Sequence, residues 1–178
     1  EEPLTAIRLA IITISDRSSQ GIRQDLSGPT IQQAAREQGW LAETLLVVPD
    51  DLEEIRAALI QWADSAQYDL ILTTGGTGFT ARDVTPEATS GILEKHAPGI
   101  AEALRAHSLK ITPHAMLSRA VAGIRGTTLI INFPGSPKAC LESFDFLAPI
   151  LPHAVELLRE SPEAENGHAR GTIPQVPS

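Results

Sequence analysis

A glycine-rich segment followed by an acidic residue is the part of this sequence best suited to chemistry. Residues 75–78 are Gly-Gly-Thr-Gly, they follow an apolar run, and Asp83 comes five residues after Gly78. Closely spaced glycines let a backbone approach a ligand and turn its N–H groups toward it, which is how many loops hold phosphate. The segment therefore predicts a phosphate-binding loop at the end of a buried strand, with a carboxylate beside it.

Two aspartates, Asp50 and Asp83, are the candidate metal ligands. Magnesium prefers oxygen ligands, keeps several waters and is commonly held by one or two carboxylates together with substrate phosphates. Both aspartates follow predicted strands, and we expect those two strands to be parallel neighbours. The competing interpretations are structural, because Asp50 has Glu53 at capping-box spacing and could cap a helix, and Asp83 could form a surface ion pair with Arg82.

A second rigid turn ends another predicted strand and has the sequence Asn132-Phe133-Pro134-Gly135-Ser136. Ligands of parallel sheets bind beyond the carboxyl ends of the strands, so we expect this turn and the glycine loop to meet there. Ser15 and Asp16 follow the first predicted strand, where such side chains more often cap a helix than bind a ligand. Thr85, directly before Pro86, is predicted to supply the capping hydroxyl of the helix after the glycine loop.

Short apolar runs alternate with helical patterns along the chain. They predict strands at residues 9–14, 45–48, 68–74 and 129–131, and helices at residues 29–38, 52–65, 86–96 and 99–109. A last helical region contains Pro149 and Pro152, which we expect to divide it. This alternation predicts a single α/β domain over residues 5–160, in which helices cover both faces of a mostly parallel sheet to make three layers. Residues 161–178 are predicted to be a loosely ordered tail, since they contain few apolar side chains.

The composition limits the classes of partner. The 178 residues have a formal net charge of -8 and a pI near 5.1, which disfavours a general nucleic-acid or anionic-membrane surface. Cys140 is the only cysteine, so no intramolecular disulfide can form and a reducing compartment is expected. No apolar run approaches the roughly 18 residues of a membrane span. We therefore expect a cytoplasmic protein that binds neither nucleic acid nor membrane.

Several familiar motifs are absent or out of context. Residues 76–81, Gly-Thr-Gly-Phe-Thr-Ala, match the dinucleotide fingerprint in form, but four further residues separate them from the predicted helix, and the strand before them is the third. A nicotinamide oxidoreductase is therefore disfavoured. The sequence has no Walker phosphate loop, no G-x-S-x-G nucleophile elbow and no histidine pair at zinc-binding spacing.

Longer segments of the chain resemble one protein family. They are GGTGFTARDVTPEAT at residues 75–89, SLKITP at residues 108–113, and LSRAVAGIRGTTLIINFPGS at residues 117–136. Together with residues 151–158, they resemble the molybdopterin adenylyltransferases, which include the G domain of gephyrin and its plant and bacterial relatives. The resemblance extends over residues 9–159, and a match of this length is more specific than any single glycine motif.

The resemblance implies that the terminal phosphate of molybdopterin attacks the α-phosphorus of ATP, releases pyrophosphate and leaves adenylylated molybdopterin. It implies Mg2+ as the ion, with Asp50 and Asp83 as the essential acids and metal ligands. The residues predicted to bind nucleotide and phosphate are Ser15, Asp16, Gly75, Gly76, Thr77, Gly78, Asn132, Pro134, Gly135 and Ser136. The residues predicted to contact molybdopterin are Ser108, Ser118 and Arg119.

The resemblance also has implications for partners. Members of the family form homotrimers, and eukaryotic members are fused to a molybdenum-inserting domain that this sequence does not show, so we expect a separate insertion protein. A non-catalytic carrier or scaffold of the same pathway is the alternative function, because it would keep molybdopterin affinity without turnover. The joint presence of Asp50 and Asp83 favours the enzyme over the carrier.

Overall fold

A six-stranded sheet forms the centre of the protein. The computed structural model describes residues 6–159. The strands are β1 (Arg8–Ile14), β2 (Leu41–Val48), β3 (Leu70–Thr74), β4 (Lys95–His96), β5 (Ala122–Arg125) and β6 (Thr128–Phe133). Their order in the sheet is β2-β1-β3-β6-β5-β4. The first four strands in this order are parallel, and β5 and β4 extend the sheet in antiparallel fashion.

Helices cover both faces of this sheet. They are α1 (Asp16–Ser19), α2 (Ser27–Glu37), α3 (Leu52–Asp64), α4 (Thr85–Ser90), α5 (Pro98–Leu109), α6 (Pro137–Leu147) and α7 (Leu151–Arg159), with a short 3-10 helix at Pro113–Leu117. Along β1, Leu9 and Ile11 share one core with α2, α5, α6 and α7, whereas Ile12 and Ile14 share a second core with α3 and α4. Successive side chains of a strand point to opposite faces, so one apolar strand supplies both cores. The predicted three-layer α/β fold is confirmed.

The strand order reverses at β1. The chain places β2 on one side of β1 and β3 on the other, and β3 is itself flanked by β1 and β6. The prediction that the strands before Asp50 and Asp83 are neighbours is therefore wrong, because β1 lies between them. The reversal leaves a crevice at the carboxyl ends of β1 and β3, and open α/β sheets bind ligands at such a point.

The antiparallel edge of the sheet departs from the sequence-based prediction. The helix predicted over residues 86–96 ends at Ser90, and Lys95–His96 form the short strand β4. The N–H groups of Glu94 and Ala97, on either side of β4, donate at 2.9 Å to carbonyls of β5, a strand that the pattern did not predict. Pairing with a distant strand thus outweighs the local helical pattern here.

The remaining boundaries agree with the pattern more closely. β2 begins at Leu41, four residues before its predicted start, because as an edge strand it has partly exposed residues in place of a continuous apolar run. The proline-containing region forms two helices, with Pro149 between them and Pro152 at the second position of α7. Within residues 6–159, no helix combines the length and hydropathy needed to cross a bilayer. The predicted tail, residues 161–178, lies outside the described residues, and the domain limits at 5 and 160 remain a prediction.

Candidate active site

The glycine loop, defined as residues 75–78, leaves the end of β3 inside the crevice. Gly75 and Gly76 have φ angles of +101° and +68°, which side chains rarely adopt. A Cβ at Gly75 would collide with the carbonyl oxygen of Ile14 at the end of β1, and a Cβ at Gly76 would collide with the hydroxyl of Thr85. Glycine is therefore required at both positions, for backbone conformation and for space.

Thr85 holds the first half of the glycine loop. Its hydroxyl donates to the carbonyl of Gly75 at 2.9 Å, and its N–H donates to the carbonyl of Gly76 at 3.1 Å. The prediction that Thr85 caps α4 is wrong, since it is the first residue of that helix and Val84 occupies the cap position without a side-chain bond. The sequence pattern identified the hydroxyl but not its partner, because Gly75 lies ten residues earlier in the chain.

Arg119 holds the second half of the loop. Its N–H donates to the carbonyl of Thr77 at 2.9 Å, and its Nε donates to the carbonyl of Gly78 at 2.8 Å. Its two terminal nitrogens donate to the carbonyl of Asp83 at 2.8 Å and to the carboxylate of Glu87. All four carbonyls of the glycine loop are thus bonded to other parts of the protein.

The N–H groups of residues 76–79 are not used in this way. Within residues 6–159, the N–H groups of residues 76–79 donate to no other protein atom. Backbone N–H groups are strong donors that are normally paired, so a run of four with no protein partner at the surface of a crevice can bind an anion. The sequence-based expectation of a phosphate loop is consistent with this geometry.

Asp50 points into the site and does not cap α3. The cap residue is Asp51, whose carboxylate accepts from the N–H of Glu54 at 2.9 Å. Asp50 and Asp16 instead form two reciprocal hydrogen bonds between backbone and side chain. The N–H of Asp16 donates to Asp50 Oδ2 at 2.9 Å, and the N–H of Asp50 donates to Asp16 Oδ1 at 3.0 Å. The capping interpretation of Asp50 is therefore wrong by one residue.

The ion pair between Arg82 and Asp83, the competing interpretation of Asp83, is absent from the described residues. Arg82 donates from Nε and Nη2 to the two carboxylate oxygens of Asp16, both at 2.9 Å. Asp83 Oδ2 accepts instead from the N–H of Thr80 at 3.0 Å, which closes a turn after the glycine loop. Asp16 is thus the residue that connects Asp50 with the segment after the loop.

The carboxylates of Asp50 and Asp83 both lie against the glycine loop. The position that a Cβ would take is 3.1 Å from Asp50 Oδ1 at Gly76 and 2.9 Å from Asp83 Oδ2 at Gly78. Burial raises the pKa of Asp50 above its ordinary value, and the nearby negative charges of Asp16 and Asp83 add to this effect, although the hydrogen bond from the Asp16 N–H and the charge of Arg82 oppose it. Like charges gathered in this way favour binding of a cation.

These carboxylates fit magnesium better than a metal held by protein ligands alone. Among the described residues, no group of three or more His, Cys, Asp or Glu side chains is arranged to hold a metal. Mg2+ needs only one or two carboxylates when phosphate oxygens and water complete its shell. Asp50 and Asp83 meet that requirement, since each faces the loop that has the free N–H donors.

The second turn, residues 132–136, meets the glycine loop as expected. Gly75 donates from its N–H to the carbonyl of Phe133 at 3.2 Å, and the hydroxyl of Thr74 donates to the carbonyl of Pro134 at 2.7 Å. At Gly135, an added Cβ would lie 3.5 Å from the Cα of Gly75. The small residue at 135 therefore lets the two loops pack against each other.

Three of the predicted binding residues make structural hydrogen bonds. The carboxamide of Asn132 is buried, where it donates to the hydroxyls of Thr73 and Thr89 and accepts from the N–H of Val121. The hydroxyls of Ser15 and Ser136 accept from backbone N–H groups at 3.2 and 3.1 Å and cap α1 and α6. Helix capping is therefore sufficient to explain why serine occupies positions 15 and 136.

Two cavities flank the paired loops. The first has a volume of about 340 Å³, and the predicted nucleotide-site residues in its wall are Ser15, Gly75, Gly135 and Ser136. Two charged residues that the sequence did not single out as ligands, Arg23 and Asp25, also line it. The second, of about 290 Å³, is lined by residues from both predicted sets and by apolar side chains, among them Thr77, Gly78, Ser108, Ser118, Asn132 and Pro134. The glycine loop contributes to both walls, whereas Asp16, Asp50, Asp83 and Arg119 line neither cavity.

The fold and this site together define a class of protein. It is a three-layer α/β protein with a glycine-rich, carboxylate-flanked site at the point where the strand order reverses. No helix starts at the glycine loop, since α4 begins at Thr85, so the site is not of the dinucleotide-fingerprint type. The chain belongs to the family described as probable molybdopterin binding domain, whose profile matches residues 10–153.

Curated relatives and solved structures agree with this membership. The molybdopterin adenylyltransferase of Helicobacter pylori is 43% identical over 159 residues, which cover 87% of this chain and 89% of the relative. The gephyrin of Dictyostelium discoideum is 46% identical over 166 residues, but the chain spans only 23% of its length. The crystal structure of the molybdopterin biosynthesis enzyme MoaB from Thermus thermophilus is 45% identical, covers 88% of this chain and 98% of its own, and superposes with a TM-score of 0.82.

Proposed function

We propose that this chain is a molybdopterin adenylyltransferase, which transfers AMP from ATP to the terminal phosphate of molybdopterin. The observation that supports this most directly is the run of unpaired N–H groups at residues 76–79, on a loop that forms part of the wall of both cavities. Thr77 and Gly78 of this run line the second cavity and the adjacent Gly75 lines the first, so phosphates of ligands in the two cavities could approach the loop from either side. Relatives at 37% to 43% identity that are named molybdopterin adenylyltransferase support the same reaction.

The reaction asks little covalent chemistry of the protein. A phosphate oxygen of molybdopterin forms the new bond to the α-phosphorus, and the bond from that phosphorus to the bridging oxygen breaks as pyrophosphate leaves with the electron pair. The attacking phosphate is already ionised near neutral pH, so no side chain has to act as a general base. The protein's task is to hold the two phosphates in line and to stabilise negative charge as it moves to the leaving group.

The N–H groups of the glycine loop would do this stabilising. They are preorganised donors, because the loop carbonyls are bonded to Thr85 and Arg119, and fixed donors need no rearrangement when charge develops. Asp50 and Asp83 would hold Mg2+ at the loop, where the ion would neutralise phosphate charge.

The two cavities differ in a way that suggests which ligand each one takes. The second cavity has apolar walls that include Leu104 and Leu117, and Ser108 and Ser118 also line it. A flat heterocycle such as a pterin suits such a cavity, since apolar walls bury its faces and a few polar groups orient it. ATP would then occupy the first cavity, where Ser15, Gly135 and Ser136 line the wall.

The test is adenylylation of purified molybdopterin with ATP and Mg2+, followed by release of pyrophosphate. Asp50→Asn and Asp83→Asn keep side-chain size but remove charge, and we expect each to lower kcat by about 100-fold or more while molybdopterin affinity changes little. Asp51→Asn is the matched control, because Asp51 only caps α3 and asparagine caps equally well. If wild-type protein binds molybdopterin but releases no pyrophosphate, the carrier alternative replaces the enzyme.

The assembly and surroundings of the enzyme belong to the same proposal. A homotrimer, a cytoplasmic location and a separate molybdenum-insertion protein that accepts the product are all consistent with the family resemblance. Light scattering of the purified chain would test the trimer, since a mass near three times 19.0 kDa is expected.

A further inference from the structure

Arg119 makes an unusual set of contacts for a residue next to a phosphate site. Its backbone N–H and its Nε bond the carbonyls of Thr77 and Gly78, one terminal nitrogen bonds the carbonyl of Asp83, and the other bonds the Glu87 carboxylate. The ion pair with Arg119 lowers the pKa of Glu87 below its ordinary value. The charge of the guanidinium is therefore already paired within the protein.

Peptide geometry connects these contacts to the anion-binding donors. A trans peptide is planar, and its C=O points opposite to the N–H of the next residue. A hydrogen bond to the carbonyl of Thr77 thus fixes the direction of the Gly78 N–H, and a bond to the carbonyl of Gly78 fixes that of the Phe79 N–H. Arg119 therefore determines two of the four N–H directions in the segment, and Thr85 determines the other two.

Its hydrogen bonds argue against direct ligand contact. Three of the five side-chain N–H donors of Arg119 are bonded to protein, and its charge is paired with the Glu87 carboxylate. We infer that Arg119 is a positioning residue, which aims the N–H groups of Gly78 and Phe79 by holding the carbonyls behind them and does not itself bind the substrate phosphate. This inference changes the role that the family resemblance implies for Arg119, and its kinetic part rests on the proposed function.

The inference is tested with Arg119→Lys and Arg119→Met. Lysine keeps the charge but cannot span two carbonyls and a carboxylate, because it lacks the planar fork of arginine. Arg125→Met is the matched control, since Arg125 also bonds one carboxylate, Asp64, and one carbonyl, that of Ile92, at a place away from the loop. Glu87→Gln is a milder variant that loosens Arg119 without removing it.

The first readout is backbone order of residues 76–79 from 15N relaxation of the ligand-free protein. We expect order parameters near 0.85 in the wild type and in Arg125→Met, and values falling toward about 0.6 in both Arg119 variants, with a smaller fall in Glu87→Gln. The second readout is kcat for adenylylation, which should fall by about 100-fold in both Arg119 variants. If the Arg119 variants do not fold, Glu87→Gln decides by the first readout.

The outcomes separate the inference from the proposed function. The inference is overturned if loop order is unchanged in the Arg119 variants, or in Glu87→Gln where only that variant folds. It is also overturned if kcat stays near normal in Arg119→Lys, because that result is expected when the residue binds phosphate only through its charge. Loss of loop order in a protein whose wild type has no adenylylation activity supports the positioning role and refutes the proposed function.

Discussion

Replacing Gly76 with alanine should be far more harmful than the same change at Gly126. Both glycines have positive φ angles, +68° and +58°, so alanine pays a similar backbone cost of about 1–2 kcal/mol at either position. They differ in surroundings. An added Cβ at Gly126 meets nothing within 4 Å, whereas at Gly76 it collides with the hydroxyl of Thr85 and lies 3.1 Å from Asp50 Oδ1.

The extra cost at Gly76 follows from this collision. Forcing additional volume into a packed site costs about 1–3 kcal/mol, so Gly76→Ala should lose that much more unfolding free energy than Gly126→Ala. For a domain of this size the difference corresponds to roughly 2–12 °C in Tm. Adenylylation should be nearly abolished in Gly76→Ala and retained in Gly126→Ala, because only the first change displaces the loop.

Urea unfolding of the two variants and of wild-type protein measures this difference. A double-mutant cycle with Thr85→Ala adds a second measurement, since removing the hydroxyl relieves the collision and the two changes should couple favourably. Equal destabilisation by Gly76→Ala and Gly126→Ala, with no coupling to Thr85→Ala, would refute the packing that we describe between the loop and the start of α4.

Two further predictions concern regions away from the loop. Asp69 is buried between the partly exposed Arg8 and Arg159, which donate four side-chain hydrogen bonds to it at 2.6–3.2 Å, so Asp69→Asn should cost about 1.5–3 kcal/mol at pH 7 by denaturant unfolding. Hydrogen bonds from these arginines outweigh the effect of burial and hold the pKa of Asp69 below its ordinary value. The wild type should therefore lose its extra unfolding free energy over Asp69→Asn as the pH falls below about 4. Equal stability of the two proteins at pH 7 would contradict the role of Asp69. Burial raises the pKa of the Cys140 thiol to about 11, so a thiol reagent at pH 8 should react only on unfolding, and rapid labelling of native protein would show that the thiol is accessible.

The sequence alone was sufficient for the fold class and for the location of the loops. Alternation of apolar runs with helical stripes is a local signal, because burial on both faces of a parallel strand requires a continuous apolar run such as β3. The glycines at 75 and 76 also report a local property, the positive φ that their turn requires. That the second turn meets this loop followed from one general rule about parallel sheets.

The hydrogen-bond partners of individual side chains could not be predicted from the sequence in the same way. The pattern offered a helix cap as the structural alternative for Asp50 and an ion pair with Asp83 as that for Arg82, whereas the structure bonds both Asp50 and Arg82 to Asp16, which lies 34 and 66 residues away from them. Asn132, predicted to bind phosphate, has its carboxamide satisfied in the core by two threonines. Each of these roles depends on which strands are adjacent.

Sequence by itself thus determined what each segment of the chain is, and tertiary structure decided what each segment touches. Periodicity and turn chemistry act over a few residues, so they can be recognised in one sequence. Contacts between residues far apart in the chain decide three features of this protein. They place β1 between β2 and β3, pair β4 with β5, and bond the glycine loop to Arg119. Such contacts form only where the whole sheet brings their partners together, and no local pattern records them.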